Sequence, residues 1–327
     1  TGSITVVEPS TGKILAMVSS PNFDPNTVEE QWSWLTSEEN TTQNMMNHAT
    51  QGTYPPGSTF KLITLLEYIR ENPDTWQDFH YTCTGTYTNS DYVVNCHDGV
   101  AHGELDIYGI LGMSCNGAFD TIAQTLNSTK WQKLAEDFGY NQSDRSQVDF
   151  PYKKSHFDIA SDDSVWSRMQ LAIGQGTTTV TPLLNLMMYA AIANDGVMMT
   201  PYLVDHYLDA DGNVVEQTKP KALRSVCTKA EAELMDEFLT YVITNGTAAA
   251  GGSQYARVSG KTGSAQYDST KNYHAWFCGY GTNDDECGFD YFVDVSQMEL
   301  GEHSILVQLL DEKDKVISEK DLKINII

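Results

Sequence analysis

The sequence predicts an α+β fold whose central antiparallel sheet is formed by both chain ends and flanked by helices. Three observations carry that expectation. β-Rich segments open the chain ("ITVVE" and "ILAMV"). Helix-patterned segments fill its middle. Strand-patterned segments return near the end ("VSGKTGSAQ" and "HAWFCGYG"). Strands, then a run of helices, then strands again suit a sheet that joins both termini better than alternating βα units.

Residues 4–8 and 14–18 read as two strands joined by "PSTGK", whose Pro and Gly mark a turn. Residues 21–57 are polar and loop-rich, with short helical candidates at "EEQWSWL" and "NMMNHAT". A helix pattern then begins at Ser58, with Phe60, Ile63, Leu66 and Tyr68 on its apolar side. Serine suits a helix N-terminus. Residues 104–138 are helical with an interruption at Gly112. Residues 169–194 hold a Gly-rich turn, a Thr-Pro start and a long apolar helix. "KAEAELMDEFLTYVITNG" is amphipathic and stops at Gly246. The last forty residues alternate apolar and polar about a charged turn, the pattern of a β-hairpin with a solvated face.

The 327 residues fit one large domain or two smaller ones, and 40% hydrophobic content is enough for a sizeable core. A net charge of −24, from 44 acidic and 20 basic side chains, argues against nucleic acid and anionic lipid as partners. No run of about 18 apolar residues is present, and no secretory signal opens the chain. A chain that begins in mid-sheet looks like a piece of a longer protein. Any membrane attachment would then come through a segment outside this chain.

Six cysteines are present. Cys83 and Cys96 flank one polar segment, and Cys278 and Cys287 flank another. Either pair could close a short loop as a disulfide in an oxidising compartment, the first pair being the better candidate. No C-x-x-C pair and no histidine pair at ligand spacing occurs, so no metal is expected.

Ser58 and Lys61 stand three residues apart, on one face of the expected helix. A serine hydroxyl needs a base to become a nucleophile, and a lysine can serve if burial and nearby positive charge lower its pKa. The N–H groups at the helix start could stabilise an oxyanion. Alone the pattern means little: S-x-x-K should occur by chance about once in a chain this long. A lysine snorkelling from a helix edge explains it equally well. Two further features shift the balance. "MSCNGAF" places Ser114 and Asn116 as S-x-N, a proton relay and an amide that can both donate and accept. "VSGKTGSAQ" places Lys261, Thr262, Gly263 and Ser264 on a strand, where charge and hydroxyls could hold a carboxylate and the glycine permits close approach. Each has a plain reading, as turn residues and as an exposed edge strand. S-x-x-K, S-x-N and K-T-G in this order are together far more specific.

With these motifs the chain resembles the transpeptidase domain of class B penicillin-binding proteins. "SITVVEPSTGKILAMVSSPNFDPN", "ATQGTYPPGSTFK", "AIGQGTTTVTPLLNLMMYAAIANDGVMMTPYLV" and "SGKTGSAQ" with "HAWFCGYG" extend the likeness over about residues 1–282. The resemblance implies a β-lactamase/transpeptidase-like fold with an all-helical subdomain. It also implies a D,D-transpeptidase in which Ser58 attacks a D-Ala-D-Ala stem peptide of peptidoglycan. Lys61 is then the base, and Ser114 helps protonate the leaving D-alanine. Asn116 holds the acyl-side amide, and Lys261, Thr262 and Ser264 the terminal carboxylate. The backbone N–H groups of Ser58 and Ser264 form the oxyanion hole. β-Lactam antibiotics are expected to acylate Ser58. No cofactor is implied. An extracytoplasmic place at the bacterial cell surface and a glycosyltransferase partner follow from the same likeness.

Position 264 is serine where the family more often has threonine, which preserves the hydroxyl and the N–H. The larger departure lies in the tail. The expected division is a transpeptidase domain over 1–286 and an atypical β-rich segment over 287–327, either the last sheet strand or a sandwich-like element. A β-lactam-sensing receptor domain, a D,D-carboxypeptidase and a β-lactamase are the alternatives. For the last, no second base for deacylation is identifiable.

Overall fold

The computed structural model describes residues 1–142, 148–253, 256–266, 273–282, 289–294, 301–310 and 316–326, from residue 282 onward by backbone alone. Both chain ends build one five-stranded antiparallel sheet. Its strands are β1 (Gly2–Val7), β2 (Ile14–Ser20), β3 (Arg257–Gln266), β4 (Tyr273–Thr282) and β5 (Phe289–Asp294), in the order β3-β4-β5-β1-β2. β5 lies between β4 and β1, pairing Trp276 with Asp294 on one side and Ser3 with Asp294 on the other. The terminal hairpin forms as expected, β6 (Gly301–Leu310) pairing antiparallel with β7 (Val316–Ile326). Its charged turn lies outside the described residues.

Helices pack on this sheet and against one another. The most deeply placed is α3 (Pro182–Ala193), with eleven of twelve residues buried. Apolar residues on all its faces suit a helix with neighbours all round. Thr181 caps it by accepting from the Leu184 N–H, and proline stands at its first position, where no intrahelical donor is needed. α1 (Lys61–Glu71) is nearly as enclosed, and α2 (Asn116–Ala123) is buried on most of its residues. Phe60, Trp131, Tyr140 and Phe157 form an aromatic cluster between them, with Phe60 and Phe157 stacked at 4.9 Å.

α4 (Lys229–Asn245) begins in a full capping box, with Thr228 and Glu231 each bonded to the other's backbone. Glu231 also receives Arg70 in a two-pronged contact at 2.6 and 2.9 Å, tying α4 to α1. Further along, Asp236 accepts from Ser259 Oγ at 2.7 Å and from the Tyr280 hydroxyl at 2.8 Å. β3 is an edge strand, and this helix fastens it from behind.

Two expectations differ in detail. "EEQWSWL" lies in a helix, Val28–Leu35, whereas "NMMNHAT" forms turns. There Asn47 side-chain oxygen accepts from the Ala49 N–H, the local bond by which asparagine favours turns over helix. Ser58 lies within a single 3₁₀ turn, Gly57–Phe60, that runs into α1, and no side chain caps either start.

Candidate active site

The Ser58 turn exists because glycines let three backbones meet. Gly57 has φ +55°, and a Cβ there would stand 2.7 Å from the Ser264 carbonyl oxygen. Its N–H donates to the Gly174 carbonyl at 2.9 Å. A Cβ on Gly263 would stand 3.0 Å from both the Pro56 oxygen and Thr59 Cγ2. The glycine of K-T-G therefore lets β3 press against the turn that carries the serine. The opposite side is pinned by Thr59, whose hydroxyl donates to the Pro56 carbonyl at 2.9 Å and lies 3.2 Å from Asn185 Oδ1. The Tyr189 hydroxyl donates to the Thr59 carbonyl at 2.9 Å. Asn185 and Tyr189 share one face of α3 through their spacing of four. Trp276 Nε1 donates to the Pro55 carbonyl at 3.0 Å. Ser58 itself remains half-buried.

Lys61 is fully buried. Its Nζ donates to the Ser114 carbonyl at 2.8 Å, to Asn116 Oδ1 at 2.7 Å and to Ser114 Oγ at 3.2 Å. None of these three bonds goes to the Ser58 hydroxyl. The Phe119 ring lies 5.2 Å from the same amine. Burial lowers the Lys61 pKa to about 8, against the opposing pull of the nearby Cys115, Cys96 and Asp120.

Lys261 is also fully buried. Its Nζ donates to Ser114 Oγ at 3.0 Å and to the Thr262 carbonyl at 2.9 Å. Burial, and then repulsion from Lys61, push its pKa well below the ordinary lysine value. The Ser114 hydroxyl is thus shared by two amines that disfavour each other's charge. Ser114 has φ +52°, a conformation rare outside glycine, which brings its hydroxyl and carbonyl together onto Lys61.

Asn116 donates through Nδ2 to the Asn95 carbonyl at 2.8 Å. Alternation along β3 buries Lys261, Gly263 and Ala265, while Thr262 and Ser264 are more open. The Thr262 and Thr247 hydroxyls meet at 3.0 Å. The structure brings Ser58, Lys61, Ser114, Asn116 and Lys261–Ser264 to one place from three distant parts of the sequence. It adds residues that carry no motif: Thr59, Asn185 and Tyr189 behind the serine turn, and Asp120 within α2. Both Asp120 carboxylate oxygens are buried without a hydrogen-bond partner among the described residues. Burial raises its pKa well above the carboxylate range, with Lys61 pulling the other way.

The expected Cys83–Cys96 disulfide is not formed in this structure. The two Sγ atoms stand 3.7 Å apart, against about 2.05 Å for a bond, and both thiols are free. Cys83 faces two groups besides Cys96: a backbone N–H and the His102 ring. Cys287, of the other expected pair, lies outside the described residues.

A family model described as "Penicillin binding protein transpeptidase domain" matches residues 2–289. The chain is 28% identical over 297 residues to a peptidoglycan D,D-transpeptidase, PbpA, of Mycolicibacterium smegmatis, covering 87% of this chain and 60% of that protein. It thus spans well under two thirds of that relative's length. It is similar to the crystal structure of the D,D-transpeptidase domain of a peptidoglycan glycosyltransferase from Eggerthella lenta, with TM-score 0.81 and 28% identity over 91% of this chain and 74% of that one. It is also similar to penicillin-binding protein A of M. tuberculosis in an imipenem acyl-enzyme complex. There the TM-score is 0.80 at 25% identity, over 91% of this chain and 69% of that one.

Proposed function

Because the chain belongs to the penicillin-binding protein transpeptidase family, we propose that it is the acyl-transferring unit of a peptidoglycan D,D-transpeptidase. The observation that carries this reading is the Ser114 hydroxyl held between Lys61 Nζ at 3.2 Å and Lys261 Nζ at 3.0 Å. Such a pair can move one proton between two amines through a hydroxyl.

Ser58 Oγ attacks the carbonyl between two D-alanines, and neutral Lys61 takes its proton. Lys61 lies one turn along from Ser58, its amine held by Ser114 and Asn116 in this structure. Catalytic hydrogen bonds often tighten only when substrate is bound. The oxyanion forms against the backbone N–H groups of Ser58 and Ser264. The terminal carboxylate of the donor binds Lys261, Thr262 and Ser264. Its negative charge favours the protonated form of Lys261, and that positive charge in turn disfavours a proton on Lys61. Donor binding therefore prepares the base. The tetrahedral intermediate collapses, the C–N bond breaks, and the proton passes from Lys61 through Ser114 to the leaving D-alanine amine. The Asn116 side chain holds the acyl-side amide. An amine of a neighbouring stem then attacks the Ser58 ester and regenerates the hydroxyl. β-Lactams acylate the same oxygen.

The reading extends to an extracytoplasmic setting and to a glycosyltransferase partner. Both are supported by the cell-wall enzymes the chain resembles. We further divide the chain into a transpeptidase unit over 1–286 and a β-rich addition over 287–327, whose first strand is inserted in the main sheet.

The test uses a pentapeptide ending in D-Ala-D-Ala with and without an acceptor amine, following free D-alanine and the two products. Cross-linked product that rises with acceptor supports a transpeptidase. Hydrolysed tetrapeptide alone, whatever the acceptor concentration, would instead mark a carboxypeptidase.

A further inference from the structure

Cys83, Cys96, His102 and Cys115 converge behind the Ser114–Asn116 turn. Each offers one ligand atom, and all four atoms lie within 4.8 Å of one another. The three cysteines are buried and His102 is half-buried. Cys83 Sγ lies 3.7 Å from Cys96 Sγ and 3.4 Å from His102 Nδ1, and Cys96 Sγ lies 3.8 Å from Cys115 Sγ.

These spacings are too long for disulfides and agree with another arrangement. Four ligands placed tetrahedrally, with metal–sulfur bonds of about 2.3 Å and a metal–nitrogen bond of about 2.0–2.1 Å, put two sulfurs about 3.8 Å apart. The same geometry puts a sulfur and a nitrogen about 3.6 Å apart. We propose that Cys83, Cys96, His102 and Cys115 form a structural site for a zinc-class divalent cation, which fastens the Ser114–Asn116 turn from behind.

Three thiolates and one imidazole are a soft donor set that prefers zinc to calcium or magnesium. Four protein ligands close the coordination sphere, the mark of a structural rather than a catalytic zinc. Metal binding releases the three thiol protons. The backbone supports the sulfurs: the Gly85 N–H donates to Cys83 Sγ at 3.4 Å. The ligands come from three pieces of chain. Cys83 ends the strand His80–Cys83, Cys96 and His102 stand on either side of a loop, and Cys115 lies between Ser114 and Asn116. Asn95, next to Cys96, accepts from Asn116 at 2.8 Å. One ion would therefore fix both ends of that contact. The ligands are separated by 12, 5 and 12 residues, a spacing unlike that of short paired-cysteine motifs.

The site is tested on the full chain, purified without an affinity tag, by elemental analysis and native mass spectrometry after zinc loading and dialysis. One zinc per chain is expected, with a lower melting temperature after chelation. Cobalt substitution should give the thiolate charge-transfer and intense visible bands of a tetrahedral sulfur-rich site. His102→Ala should weaken zinc binding more than about a hundredfold and remove the zinc-dependent rise in melting temperature. Cys227→Ser, altering a thiol outside the cluster, should change neither. Reduced protein that retains no zinc, or zinc held equally well by His102→Ala, would overturn the proposal. So would a Cys83–Cys96 disulfide in protein isolated without reductant. These readouts need no turnover, so failure here leaves the acyl-transfer reading standing, and the reverse also holds.

Discussion

Ser114 Oγ accepts a hydrogen bond from Lys261 Nζ at 3.0 Å across 147 residues of chain, and the same oxygen lies 3.2 Å from Lys61 Nζ. Removing it leaves two buried amines without their shared partner. Ser114→Ala should slow β-lactam acylation by about 10²–10⁴-fold, the range of general acid–base contributions. The loss should appear in the acylation step more than in initial binding. Stopped-flow mixing with a chromogenic cephalosporin separates the two.

The pH dependence follows from Lys61. Burial lowers its pKa to about 8, so roughly a tenth is neutral at pH 7. Acylation should rise about tenfold per pH unit below that pKa and level off above it. The stability consequence has a defined sign. The unfolded lysine titrates near 10.5, so between about 8 and 10.5 the unfolded chain binds more protons, and this group's contribution to stability rises with pH. Lys61→Met should flatten the acylation profile. Chemical denaturation across this range checks the second part.

Gly263 sets the distance between β3 and the Ser58 turn. Gly263→Val places branched carbons where even a Cβ stands 3.0 Å from the Pro56 oxygen. Acylation should fall more than tenfold while far-UV circular dichroism stays near wild type. A variant acylated at the wild-type rate would show that this close approach is not needed.

Asp236 joins α4 to the sheet through Ser259 at 2.7 Å, the Tyr280 hydroxyl at 2.8 Å and Arg257 at 2.5 Å. Asp236→Ala leaves these donors without their acceptor and should cost about 2–3 kcal/mol. Urea unfolding measures the loss. Acylation of the folded variant should also slow, because the strand bearing Lys261 loses its tie to the helix.

Much of this arrangement was legible in the sequence because each part has a local cause. Strand-patterned segments near the end marked β3 and β4, a long apolar run after a Thr-Pro start marked α3, and the order of Ser58-x-x-Lys61, Ser114-x-Asn116 and Lys261-Thr262-Gly263 marked the site. What was not legible depends on tertiary contact. Nothing near Thr59 signals that Asn185 and Tyr189 will meet it, since 126 residues separate Thr59 from Asn185. The Cys83–Cys96 pair suggested a disulfide because sequence shows two neighbours and hides the third and fourth. Only folding brings His102 and Cys115 beside them. "NMMNHAT" had helical composition, but local asparagine bonds hold it in turns.

In the proposed mechanism Ser58 is the acylated nucleophile and Lys61 its base. Intact-mass measurement after incubation with a penicillin, followed by peptide mapping, tests it most directly. One adduct per chain is expected on the peptide containing Ser58, stable over hours. The adduct should be absent in Ser58→Ala and form far more slowly in Lys61→Met. An adduct that persists in Ser58→Ala, or maps to another residue, would contradict it.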